Sequence, residues 1–294
     1  MATTAGEALL AYLAEQSTEL RLQAAGVREN QAEAIHKMRV AARRLRSLLA
    51  SGRTLFEDGT ARELRVDLRW LSGALGPARD PLVVQARLRE LLAAEPGGLV
   101  LGQAAVRIDQ ELDAAAAAGF AGALAALDSD RYTELLARLE AWLNAERLSA
   151  KASRPPRKTM RKFVARDEKR LRRAIESLPG PEDRTGARDA GLHEVRKAAK
   201  RLRYSAELAA SLTSGGSGGS GKAQRTATAA RKIQTALGQH QDSVVARALL
   251  ADLGARSRRS GETGFTFGRL HAQEEQLASR AEAEFLKVWR KHSA

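Results

Sequence analysis

Two sets of one histidine and four cations stand at identical spacing in this chain. From His36, cations fall at +3 (Arg39), +7 (Arg43), +8 (Arg44) and +10 (Arg46); from His193 the same offsets hold Arg196, Lys200, Arg201 and Arg203. At about 100° per residue, the histidine and the cations at +3, +7 and +10 share an arc of roughly 80° on an α-helix. Lys37 and Lys197 neighbour these arcs, and each helix offers a rail of positive charge roughly 15 Å long at ~1.5 Å rise per residue. Arginine suits bidentate contacts with phosphate and lysine supplies point charges, so a repeating linear polyanion is the ligand such rails fit. Acids are nearly absent from both arcs, which favours a ligand over a merely solvated helix face. Arg65 and Arg69 follow on the next helix, with Arg231 and Lys232 in the corresponding place of the second half; Arg69 and Lys232 are further candidate contacts. Each histidine has two roles open to it, donating to a bound phosphate or to a neighbour that fixes the helix packing.

The elements that position these groups are written on the opposite sides of the same segments. Ile35, Met38, Ala41, Ala42, Leu45, Leu48 and Leu49 form one apolar stripe, and Leu192, Val195, Ala198, Ala199 and Leu202 the other. Alanine, leucine, arginine and glutamate dominate, β-branched residues are sparse and period-2 alternation is nowhere sustained, so the chain reads as all-α. Breakers at Gly52, Asp58-Gly59, Gly76-Pro77, Pro96-Gly97-Gly98, Gly119 to Gly122, Pro155-Pro156 and Pro179-Gly-Pro181 predict helices of mostly about 12 to 25 residues. Asp80 before Pro81 and Asp242 before Ser243 read as helix N-caps, with pairing to a stripe arginine the alternative. The glycine-serine run 213–221 reads as a flexible tether with a reach of roughly 17 Å, either native or an engineered loop replacement.

The two halves keep matching beyond the basic segments. Leu75-Gly-Pro-Ala-Arg-Asp80 corresponds to Leu237-Gly-Gln-His-Gln-Asp242, and Gly98-Leu-Val-Leu-Gly102 to Gly264-Phe-Thr-Phe-Gly268. Helix order is preserved while loops lengthen, which predicts an internal duplication with one helical bundle in residues 1–150 and a second in 151–294.

Composition narrows the function. With 49 Lys+Arg against 35 Asp+Glu, the 294 residues carry a formal charge of +14 and a pI near 10.6, which points to phosphate-rich partners or an anionic surface. Between Lys151 and Tyr204 stand 18 Lys and Arg against 7 Asp and Glu, so most of that excess is local. Aromatics make up only 4%, and base stacking on single strands is poorly supplied. The absence of cysteine excludes disulfides, thiolate metal sites and cysteine nucleophiles. His240, His271 and His292 lack a second ligand at i+4, so no metal is expected, and no phosphate loop or hydrolase motif implies a cofactor. Trp70, Trp142 and Trp289 read as packing residues. Neither a signal peptide nor a membrane span is legible, and a soluble cytoplasmic protein is expected.

The paired His-x-x-Arg-x-x-x-basic-Arg-Leu-Arg segments, each followed by Leu-Gly-x-x-x-Asp, resemble the CHAD domain, the conserved histidine α-helical domain; Leu127-Asp-Ser-Asp-Arg-Tyr-Thr-Glu-Leu-Leu136 looks like that family too. The resemblance covers nearly the whole chain. It implies two pseudo-symmetric helical bundles of four-helix type, facing each other across a basic central channel that binds inorganic polyphosphate without catalysis. By the same resemblance His36, Arg39, Arg43, Arg46, His193, Arg196, Lys200 and Arg203 would face the channel, and polyphosphate granules are an implied location. Glu194 stands where the first half has Lys37, and Gln239-His-Gln241 where it has Pro77-Ala-Arg79, so unequal contributions from the halves are expected. The competing readings are a helical nucleic-acid binder, with nucleic acid otherwise only a weak non-specific polyanion, and a metal-dependent polyphosphate-processing enzyme using Asp80 and Asp242. Oligomeric state is open in the sequence, and a monomer is compatible with it.

Overall fold

Strong helix formers with few β-branched interruptions fold this chain into helices almost throughout. A computed structural model describes residues 3–57, 59, 61–145, 147–183, 186–212 and 220–293. Among these stand ten α-helices: α1 (Ala5–Arg28), α2 (Ala32–Ser51), α3 (Arg62–Ala74), α4 (Gly76–Ala94), α5 (Ala104–Leu127), α6 (Asp130–Asn144), α7 (Pro156–Glu176), α8 (Ala187–Ser211), α9 (Ser220–Arg259) and α10 (Phe265–Ser293). The fold is all-α; the described residues hold no strand, only an isolated bridge between Phe56 and Leu148. The two basic segments are α2 and α8.

Three expectations about the elements need correction. Helices of about 12 to 25 residues hold for most of the chain, but α9 runs for 40 and α10 for 29. The first half breaks at Gly76-Pro77, where a proline amide cannot donate; Gly238-Gln239 has no such block and lies inside α9. Asp80 and Asp242 therefore lie within helices rather than at their N-caps. Gly119 to Gly122 do not interrupt α5 either. A Cβ on Gly119 would fall 2.1 Å from the Pro77 carbonyl oxygen, so that glycine lets α5 press against the first turn of α4. Of the glycine-serine run 213–221, residues 213–219 lie outside the described residues, while Ser220 and Gly221 open α9.

The apolar stripes go where their periodicity sends them. Every named apolar residue of α2 is buried, in a core shared with α1, α3, α6 and α7. Leu192, Val195, Ala198, Ala199 and Leu202 of α8 enter a second core with Leu171 of α7, Ile233 and Leu237 of α9 and Phe285 of α10. In a third, Val84 and Leu88 of α4 and Ile108 and Leu112 of α5 meet Ala246, Leu250 and Leu253 of α9 and Phe267 and Leu270 of α10. The first and third cores cross residue 150: Met160, Phe163, Tyr204 and Leu208 belong to the first, whereas the second is built from residues beyond 150 alone. Trp142 is buried against Phe56, whereas Trp70 is only half-buried, with the Arg131 guanidinium 4.5 Å above its ring. Trp289 is likewise half-buried at the edge of the second core.

Alanine normally stabilises a helix by about 1 kcal/mol over glycine, while overpacking costs about 1–3 kcal/mol. Gly122 has nothing near its missing Cβ. Gly122→Ala is thus expected to raise the melting temperature and Gly119→Ala to lower it by several degrees, read by thermal unfolding; a rise for both would refute the close packing at Pro77.

Candidate functional site

Packing α2 against α8 brings the two rails together. Arg39, Arg43 and Arg46 of α2 and Arg196 of α8 all lie close enough for their charges to act on Lys200. Burial comes first and those four cations reinforce it, driving the Lys200 amine down from 10.5 to about 6. The side chains of Lys200, Arg43, Arg46 and Arg196 form no hydrogen bond or ion pair with any described residue, and the Nε atoms of Arg43 and Arg196 are buried without a partner among those residues. Burial also lowers the pKa values of Arg43, Arg46 and Arg196. A convergence of cations with unused N–H donors favours an anion of several charges and several acceptor oxygens.

Two carboxylates border the cluster. Asp80 receives Arg39 in a two-point contact of 2.7 and 3.3 Å, which leaves the Arg39 side chain only 16% exposed. Asp242 is held above its ordinary pKa by burial, against the opposing charges of Arg196 and Arg87. In each Leu-Gly-x-x-x-Asp segment the glycine lies beneath the arginine: Gly76 faces the Arg39 guanidinium and Gly238 that of Arg196. Asp80 is thus the ion-pair partner of Arg39, and Asp242 acts on Arg196 through its charge without bonding to it; neither is a cap.

The flanking cations depart from the acid-poor picture of the arcs, because acids arrive from other turns and helices. Arg201 binds Asp167 of α7 at 2.7 Å and Ser51 Oγ of α2 at 3.0 Å. Arg203 donates to Glu207 at 2.6 Å, Arg44 approaches the same carboxylate at 3.8 Å, and both guanidiniums lie over the Tyr204 ring. Lys197 pairs with Glu194 at 2.7 Å.

Two cavities open on the α2/α8 pair. One, of about 770 Å³, takes Arg46 from the last turns of α2, Glu194, Lys197 and Arg201 from the middle of α8, Arg65 and Arg69 from α3, and Arg62 and Arg170, which were not among the expected contacts. The signal for Arg62 was present in its +3 and +7 spacing to Arg65 and Arg69. The other, of about 530 Å³, takes His36, Lys37, Arg43 and Arg44 from α2 and Arg203 from α8, together with Glu15 and Glu19 of α1. Arg39, His193, Arg196 and Lys200 line neither cavity, and exposed Lys232 stands apart from both. The histidines differ: His193 Nδ1 donates to Gln241 Oε1 at 2.8 Å, whereas His36 lines a cavity with its pKa lowered by burial and then by the Arg79 charge. Arg79 occupies in the first half the place of Gln241 in the second.

This is an all-α protein whose paired basic helices gather cations, several of which have no side-chain partner among the described residues. Residues 11–251 match the CHAD domain, and the chain belongs to that family. Uncharacterised proteins from two strains of Mycobacterium tuberculosis are 34% identical over 283 residues, 95% of this chain; the chain spans about half of their length, 52%. Among solved structures, PptA from Streptomyces chartreusis superposes with a TM-score of 0.80 at 25% identity, covering 98% of this chain and 99% of that one. The CHAD domain from the plant Ricinus communis gives 0.73 at 28% identity, covering 97% and 92%.

Between pH about 6 and 10.5 the unfolded chain holds a proton on Lys200 that the native chain lacks, so this group makes stability rise with pH across that window. Lys200→Met is expected to stabilise the protein near neutrality and to flatten that rise, measured by denaturant unfolding at several pH values. An unchanged pH profile would show that Lys200 is ordinarily charged.

Proposed function

We propose that this chain binds inorganic polyphosphate, without catalysis, along the cations gathered between α2 and α8. Two pseudo-symmetric helical units, products of an internal duplication, each contribute one rail to a basic channel. The observation that carries this reading is Lys200, half-buried among four arginines with no carboxylate of the described residues bonded to it, beside the Arg43 and Arg196 Nε donors, which no described residue uses. A phosphate chain supplies closely spaced negative oxygens along its length and has no base edges to read, which fits rails that offer charge and donors alone. Membership of the CHAD family agrees, since the motif resemblance implies the same ligand. Asp80 and Asp242, the carboxylates nearest the cluster, face Arg39 and Arg196, which supports a binding role over metal-assisted cleavage. No single helix among the described residues is long and apolar enough to cross a membrane, and polyphosphate granules are the location this function proposes.

Two experiments test the proposal. In competition titrations at ~0.15 M salt, long-chain polyphosphate is expected to outcompete duplex DNA strongly, and the Arg43→Glu/Lys200→Glu double variant, folded by circular dichroism, to lose on the order of 100-fold in affinity. Equal displacement by DNA, or full affinity in the double variant, would overturn the assignment. A bound phosphate also favours the charged amine, so complex formation near pH 7.5 is expected to take up protons and affinity to fall as pH rises. Lys200→Arg should remove that proton uptake, read from the buffer dependence of the binding enthalpy.

A further inference from the structure

A third basic stripe lies outside the duplicated helices. Arg62, Arg65 and Arg69 stand at 0, +3 and +7 on α3, within one narrow arc, and span about 10 Å of helix. All three are exposed, and none has an ion pair with a described residue. The stripe begins at the central cluster, because the charges of Arg69 and Arg65 act directly on Arg46. It also leads outward. The 770 Å³ cavity, whose one acid Glu194 pairs with Lys197, shares Arg62 and Arg65 with an adjoining cavity of about 500 Å³, whose lining adds exposed Arg53 and Lys151 and one acid, Glu57. Neither of those side chains is ion-paired with a described residue.

The other cavity on the α2/α8 pair carries fewer cations and more acid among its lining residues. Glu15 and Glu19 line it, and Glu207 occupies Arg203 and Arg44. At the offset of 162 that relates Leu75 to Leu237, Arg62, Arg65 and Arg69 correspond to Gln224, Ala227 and Arg231, so the second half lacks the stripe.

We infer that a bound polyphosphate strand leaves the α2/α8 cluster on one side, along α3, and that Arg53, Arg62 and Lys151 form an outer subsite for its distal phosphates. The inference rests on the polyphosphate reading above and adds direction and length to it. Cations along the outer track cannot relieve one another's repulsion, and a flexible polyanion already anchored at the cluster meets them at high effective concentration. A short chain that fills only the cluster gains nothing from them. Chain-length preference is therefore the property the outer subsite controls.

The test compares the full chain with the Arg53→Gln/Arg62→Gln/Lys151→Gln triple variant, using tripolyphosphate and long-chain polyphosphate as separate probes. For the long chain, affinity at low salt is expected to fall by roughly tenfold or more and the slope of log affinity against log salt to shrink by about 2; tripolyphosphate affinity stays the same. Equal losses for both probes, or no loss for either, overturn the outer subsite. A control that removes three exposed cations elsewhere, Arg258→Gln/Arg259→Gln/Lys291→Gln, should leave long-chain binding intact; a matching loss there would reduce the effect to net charge and also overturn it. If the unmodified chain binds neither probe, the polyphosphate reading itself fails, an outcome distinct from failure of the outer track alone.

Discussion

Mutual repulsion among cations gathered in one half-buried cluster is the constraint around which this molecule is organised. Arg39, Arg43, Arg46, Arg196 and Lys200 are drawn together because the helices that carry them must bury their other faces. Each buried leucine, isoleucine or methionine of those stripes contributes on the order of 2 kcal/mol, and repulsion among partly solvated charges does not outweigh a stripe of them. The molecule relieves the remaining strain locally. The Lys200 amine is driven down to about 6, Asp80 takes up Arg39, and half-buried Asp242 sets its charge against that of Arg196. Arg43 and Arg196 are left with Nε donors that meet no acceptor among the described residues.

The two halves resolve this constraint differently, and single residues account for the difference. His193 finds an acceptor in Gln241, whereas His36 meets the repulsive charge of Arg79 at the matching place. Glu194 pairs with Lys197, while Lys37 lines a cavity. Pro77 separates α3 from α4, and Gln239 lets the second half continue as one helix. A sequence pattern repeated at the same spacing thus sits in two unlike surroundings.

Much of this was legible in the chain because helical periodicity is a local property. The spacing of Ile35, Met38, Ala42, Leu45 and Leu49 specified which face of α2 is buried, and thereby which face carries Arg39, Arg43 and Arg46. Tertiary pairings were not legible in the same way. Glu207 reaches Arg44 and Asp167 reaches Arg201 from distant turns, so an arc without acids in sequence is not one without acids in space. Asp80 resembled a cap because a proline follows it, yet its partner lies 41 residues earlier. Gly119 resembled a breaker because its real reason, the Pro77 carbonyl, belongs to another helix. Lys232 was selected by position in a repeat, and a shift of one residue on a helix turns a side chain by about 100°.

The continuity of α9 has a consequence for cooperativity. Its N-terminal half packs in the core with α8, and its C-terminal half in the core with α4, α5 and α10. A single helix roughly 60 Å long thus belongs to both, and neither core can open without fraying a shared backbone. In the first half, α3 and α4 divide at Leu75, so the helix bearing Arg62, Arg65 and Arg69 is not covalently stiffened to the α4/α5 hairpin. Local opening is correspondingly cheaper on that side, and in a hydrogen-exchange experiment the protection of α3 and of the α4/α5 hairpin would decay separately while the two ends of α9 decay as one unit.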